Sequence, residues 1–382
     1  MRVLASFVGG WGHAEPMLPL AKWARDLGHR VTFAGQSAVI GRLRALGFDT
    51  VAVGPDTLAS VAQPLVPVDR SAEQAVMRDH FVTRFGQERA RAIGSLCDRE
   101  RPDLVICDQV DVGSVVAAEV RGIPCVTVTV LAAGLLMMPI VVGLAWNALR
   151  HEFSLDLDPN AERLGGGLVI APIPRSLRSP RCSVPSTNRF VRPPILDEVA
   201  TANHVGTPPL VYATLGTVFN MECGDLLARL IEAMNALSDS NDVDVVITTG
   251  PGIDPSQLPS PRPRVRVEEF VPQRELLGHC RAVVSHAGSG TLAAVLSLGI
   301  PVVALPMGAD QPDNADRCTE LGVGITLDPL TVTPAEIVES TQAALHLPEL
   351  RTAAAMLAKE AASQPRLRGV PELRQLLITN AT

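Results

Sequence analysis

The chain has 382 residues, 47% of them apolar, 19% charged and 3% aromatic, with a formal net charge of −7. That balance supplies two globular cores and excludes a disordered chain, since long polar or single-sign runs are absent. The acidic balance, the lack of a Lys/Arg-rich block and the few aromatic rings argue against a nucleic-acid partner. Seven scattered cysteines with no CxxC pair argue against a disulfide framework or zinc site and for reduced thiols in a cytoplasmic protein.

MRVLASFV predicts a first strand, without the small-residue cleavage pattern of a signal peptide, and GGWGH predicts the turn after it. In PMLPLAKWARDLGH, Leu18, Ala21, Trp23, Ala24 and Leu27 fall at helical spacing, ending near Gly28. HRVTFAG reads as a second strand, IGRLRALGF as a short helix stopping at Gly47, and DTVAV as a third strand. The charged run from Ala72 to Arg101 predicts one or two exposed helices. DLVICD is a buried strand, GSVVAAEVRG a helix and PCVTVTV a strand. From Ile123 to Leu149 no residue is charged, a length that could cross a bilayer. Val126–Val130 alternates with Thr as strands do, and Gly134, Pro139 and Gly143 punctuate the rest. The better expectation is a buried strand followed by an apolar loop or helix. It would serve either as core or as lining for a greasy acceptor pocket built from residues 55–90 and 131–155.

Residues 172–209 are rich in Pro, Arg and Ser and read as an interdomain connection. The strand–helix rhythm then restarts with LVYATLG, LLARLIEAMNAL, DVDVVITTG, VRVEEFV, ELLGHC, AVVSHAG, GTLAAVLSLG, PVVALPM and DNADRCTELG. Two such halves predict an α/β chain of two doubly wound domains, with ligands at the carboxyl ends of the strands. The expected division is 1–195 and 208–365, with a tail at 366–382.

The sharpest chemical signal is a strand running into SHAGSGT and then a helix. Gly288, Ser289, Gly290 and Thr291 would present backbone N–H groups to a phosphate, and His286 could donate to a phosphate oxygen. Asp310 and Gln311 end the next strand; a carboxylate beside an amide suits sugar hydroxyls, or equally a helix cap and turn. His13, on the turn after the first strand, is a candidate general base. Asp108, ending a later strand of the same half, could orient its imidazole, with Asp111 as the neighbouring alternative. The absence of HExxH, DxD and Cys/His clusters implies no metal.

With these motifs in place the sequence resembles the family 1 nucleotide-sugar glycosyltransferases of GT-B fold, including the bacterial antibiotic and macrolide enzymes. The resemblance runs along nearly the whole chain and is most specific over 270–311. It implies two Rossmann-like domains facing across a cleft, with the acceptor and the base on the first and the donor on the second. In FVPQ, Phe270 would stack on the base, Val271 would bond it through its backbone and Gln273 would line the nucleoside pocket. His286 and the N–H groups of Ser289, Gly290 and Thr291 would hold the pyrophosphate, touched from the other side by the LGT loop ending at Thr217. Asp310 and Gln311 would hold the sugar. His13 followed by Pro16 matches the family's base pattern, and Asp108 its partner carboxylate. Inverting transfer without metal or cofactor follows, from a TDP- or UDP-sugar co-substrate to a small apolar natural product, with the C-terminal tail crossing back to the first domain. Many relatives carry Glu near Ala294 to contact the ribose; its absence favours a TDP-sugar, although a water or neighbour could substitute. Alternatives are a nucleotide-sugar 2-epimerase of the same architecture, or an inactive nucleotide-sugar-binding protein. An NAD dehydrogenase is disfavoured because GGWGH matches GxGxxG poorly and HRVTFAGQ lacks the acidic residue that should follow.

Overall fold

The computed structural model describes residues 1–54, 63–199 and 208–378. Two parallel sheets organise it. The first contains β1 (Arg2–Ser6), β2 (Arg30–Gly35), β3 (Asp49–Ala52), β4 (Leu104–Asp108), β5 (Cys125–Val128), β6 (Leu168–Ala171) and β7 (Asn188–Phe190), in the order β3-β2-β1-β4-β5-β6-β7. The second contains β8 (Leu210–Thr214), β9 (Asp244–Thr248), β10 (Val265–Glu268), β11 (Cys280–Ser285), β12 (Val302–Ala304) and β13 (Gly324–Thr326), in the order β10-β9-β8-β11-β12-β13. The central strands are continuous apolar runs because helices cover both faces of each sheet. β4, for example, is buried at every residue.

Each sheet therefore carries two cores. On the first, one core gathers Val105, Val116, Trp146 and Leu149, and the other Ala5, Phe33, Leu43 and Ile106. On the second, one gathers Val283, Leu292 and Leu296, and the other Ala213, Leu230 and Val284. The helix Pro371–Leu377 packs on the first lobe. Its N-cap Val370 and its Leu373 and Leu377 join the core with Ala5 and Phe33, and the Leu377 carbonyl lies 2.7 Å from His29 Nε2.

Three expectations change. The run 72–101 is one helical succession, Arg70–Ala75, the π-helical Val76–Phe85 and Gly86–Glu100. It is not simply exposed, because Met77, Val82, Ile93 and Leu96 face the core. Residues 172–209 are not merely a connection, since Asn188–Phe190 pairs with β6 as an edge strand. The uncharged stretch divides: β5, an irregular loop, then the helix Pro139–Glu152, which buries Trp146 and Leu149 but leaves Ile140 85% and Leu144 90% exposed. No helix among the described residues is long and apolar enough to cross a membrane.

Candidate active site

In each sheet the strand order reverses beside the first strand, between β1 and β4 and between β8 and β11. The crevices at the carboxyl ends of these pairs are where open α/β sheets bind ligands. His13 follows β1 and Asp108 ends β4; Thr217 follows β8 and His286 follows β11. Topology alone thus gathers the predicted residues at two facing sheet edges.

GGWGH is not a bare turn; Trp11–Ala14 forms one helical turn carrying His13. Gly9 passes so near the imidazole, at φ +105°, that a Cβ would lie 2.7 Å from its Cδ2. His13 Nδ1 stands 3.5 Å from Asp108 Oδ1, longer than a formed hydrogen bond. Asp108 is itself fixed, accepting from the Val8 and Val110 N–H groups at 2.7 Å each. Burial pulls the His13 pKa down, but Asp108, with Asp310 and Asp111 assisting, more than offsets it, so the ring titrates above its ordinary value of 6.5. Asp310 belongs to the second lobe, so the two lobes share this electrostatic site. Asp111 is committed elsewhere. It accepts from Arg89 Nη2 at 2.7 Å, from Ser6 at 2.7 Å and from Ser114 at 2.8 Å, all buried.

On the second lobe, Gly288 caps the helix Ser289–Ser297 with extended backbone. Gly290 has open space around it, as an anion-binding turn requires. His286 lies between Gly216 and Gly288; a Cβ on Gly288 would be 2.4 Å from its Nε2. Burial lowers its pKa to about 4, with the nearby Thr214 backbone pulling weakly the other way. Thr217 is exposed on the loop beyond. Gln273 donates to Thr291 Oγ1 at 3.1 Å, while Val271 is partly buried on the neighbouring core. Phe270 is 51% exposed.

Asp310 is buried and tied into a network. Ser289 Oγ donates to its Oδ2 at 2.5 Å and Asn314 Nδ2 at 2.8 Å. Burial, the dominant influence, pushes its pKa up against these donors. Gln311 Oε1 accepts from Met307 N–H at 2.8 Å. The first lobe reaches into this network: Ala132 N–H donates to Ser289 Oγ at 2.6 Å and Ala133 N–H to Asn314 Oδ1 at 2.9 Å.

Sequence reading missed Asn314 and Arg42. Asn314 stands one helical turn beyond Asp310, the one local signal available. Arg42 stacks 3.6 Å from the Trp11 ring and 4.9 Å from that of Phe270, a cross-lobe contact with no local signature. The expected acceptor region is only partly visible. Residues 55–62 lie outside the described residues, and the apolar cavity of about 110 Å³ beside Val8 is lined by Phe7, Val53 and Phe85 rather than by 131–155. No group of three metal-ligating side chains occurs among the described residues.

Residues 232–375 match the model of the erythromycin biosynthesis protein CIII-like C-terminal domain. The chain is 26% identical to tylactone mycaminosyltransferase of Streptomyces fradiae, covering 98% of this chain and 92% of that one. It is 28% identical to 10-deoxymethynolide desosaminyltransferase of Streptomyces venezuelae, covering 98% and 97%. Among solved structures, the calicheamicin glycosyltransferase CalG4 superposes with a TM-score of 0.76 at 22% identity, over 100% of this chain and 99% of that one. The facing parallel sheets and these relatives give the chain the GT-B fold and mark it as a glycosyltransferase similar to the family 1 antibiotic enzymes.

Proposed function

We propose that the enzyme moves a sugar from a TDP- or UDP-sugar, TDP being favoured, to a hydroxyl of a small apolar natural-product acceptor, with inversion and without metal or cofactor. One observation carries the reading: His13, 3.5 Å from Asp108, also feels the carboxylate of Asp310 from the opposite lobe. Neutral His13 takes the acceptor's proton as the hydroxyl attacks the anomeric carbon, and Asp108 stabilises the resulting imidazolium. The leaving diphosphate is stabilised by N–H groups of Ser289, Gly290 and Thr291 and by His286. Phe270, Val271 and Gln273 hold the nucleoside, Thr217 approaches the phosphates, and Asp310 and Gln311 hold the sugar. Displacement from the face opposite the diphosphate inverts the anomeric centre.

The donor preference rests on Ala294, which cannot reach a ribose hydroxyl. It is supported by relatives solved with thymidine diphosphate, including the spinosyn rhamnosyltransferase. An apolar acceptor is supported by the cavity beside Val8 and by a relative solved with spinosyn aglycone. The seven cysteines are free and buried, in keeping with work in the cytoplasm. The test is twofold. Thermal shift against TDP, UDP and GDP should show the largest rise with TDP, because a ligand at a hundred times its Kd adds about 2.7 kcal/mol to native stability. Incubation with a TDP-sugar should then give a product only when a hydroxyl acceptor is added. Sugar isomerisation without acceptor would assign a 2-epimerase instead.

A further inference from the structure

The helix Arg70–Ala75 belongs to the first lobe by chain connectivity, yet its polar side chains act on the second. Asp69 caps it, accepting from the N–H groups of Ser71 at 2.9 Å and Ala72 at 3.1 Å. Arg70 spreads its guanidinium over two carboxylates of the helix Gln311–Glu320: Nη1 to Asp313 at 2.6 Å and Nη2 to Asp316 at 2.8 Å. One turn on, the Glu73 carboxylate faces the Ala309 backbone N–H, which favours its charged form against the effect of burial. It lies against Gly308 so closely that a Cβ there would be 3.0 Å from Oε1, with Phe219 closing the other side at 2.9 Å. Ala309 sits at φ +51°, a left-handed conformation that a non-glycine residue holds only with support from its surroundings. Gly308–Ala309–Asp310–Gln311 is the turn that carries the proposed sugar-binding carboxylate and amide.

We propose that Arg70 and Glu73 are positioning residues for the donor sugar: they hold the 308–311 turn from the opposite lobe, so that lobe closure itself sets Asp310 and Gln311 for the sugar. The proposal rests on the donor-site reading above. Arg70 is 47% exposed, as is Asp316, and although Asp313 is only 13% exposed, pairs with a half-exposed partner contribute little to stability. The clamp's effect therefore lies in geometry rather than in holding the fold. Glu73 needs only an acceptor oxygen for this role, whereas Arg70 needs its fork.

The experiment is calorimetric titration of the full chain, as wild type, Arg70→Ala, Glu73→Ala and Glu73→Gln, with TDP and with TDP-glucose. The clamp predicts that Glu73→Ala and Arg70→Ala bind TDP-glucose about tenfold more weakly while TDP affinity changes less than about twofold, as loss of one charged positioning contact implies. Glu73→Gln should restore most of the loss. Unchanged TDP-glucose affinity in Arg70→Ala and Glu73→Ala would overturn the proposal. So would an equal loss for TDP, or a Glu73→Gln variant as weak as Glu73→Ala. Wild-type protein that binds neither ligand would sink the donor-site reading itself, and the clamp with it.

Discussion

Gly216 stands so close to the imidazole of His286 that a Cβ at residue 216 would lie 2.7 Å from both Cε1 and Nε2, and its φ of +83° favours glycine in addition. The backbone of one loop thus forms a wall of the histidine's socket. Gly216→Ala should cost about 1–3 kcal/mol through combined strain and overpacking, and should weaken TDP binding by tilting the ring. Thermal unfolding and calorimetry check both; unchanged values would remove the socket.

His286 also sets a pH signature for stability. Its pKa is about 4 in the fold against 6.5 ordinarily, so between those values the unfolded chain binds more protons than the native one. Stability from this group is complete above about pH 6.5 and declines as pH falls towards about 4. His286→Asn should flatten the dependence of unfolding free energy on pH across that window. An identical slope in wild type and variant would contradict the assignment.

His13 behaves in the opposite sense, because its pKa is raised. A general base must be neutral, so turnover should rise with pH through a value above 6.5. Asp108→Asn removes the charge that outweighs burial. The acid limb of the rate profile should then move to lower pH while the rate falls by about 10²–10⁴-fold. A profile unmoved by this substitution would detach Asp108 from the base.

Arg89 and Asp111 are almost wholly buried, their side chains 6% and 0% exposed. Removing one partner strands the other's charge, so Asp111→Ala should destabilise by about 3–5 kcal/mol in denaturant unfolding. A loss below about 1 kcal/mol would show that the Ser6 and Ser114 hydroxyls suffice without the ion pair.

How far the sequence reveals this arrangement depends on whether a feature is local. β1, β4, β8 and β11 announce themselves because a parallel strand buried on both faces is an unbroken apolar run. The places of His13, Asp108 and His286 follow, since Asp108 ends such a strand, His286 directly succeeds one and His13 lies on the segment that leaves β1. β7 carries no such signal: it is three half-buried residues, Asn188–Phe190, on a sheet edge among prolines. The core-facing side of the run 72–101 is likewise obscured, because charged residues outnumber the few apolar ones that turn inward. Contacts such as Arg70 with Asp313, 243 residues apart, arise only when the lobes meet, and nothing in either local sequence marks them.

The central claim is that an imidazole from the first lobe takes the acceptor's proton above a donor held by the second. Sugar transfer by His13→Ala, with TDP affinity followed on the same preparation, tests it most directly. The account predicts turnover lowered at least about 100-fold with TDP affinity within about twofold of wild type. Transfer at the wild-type rate by that variant would contradict it.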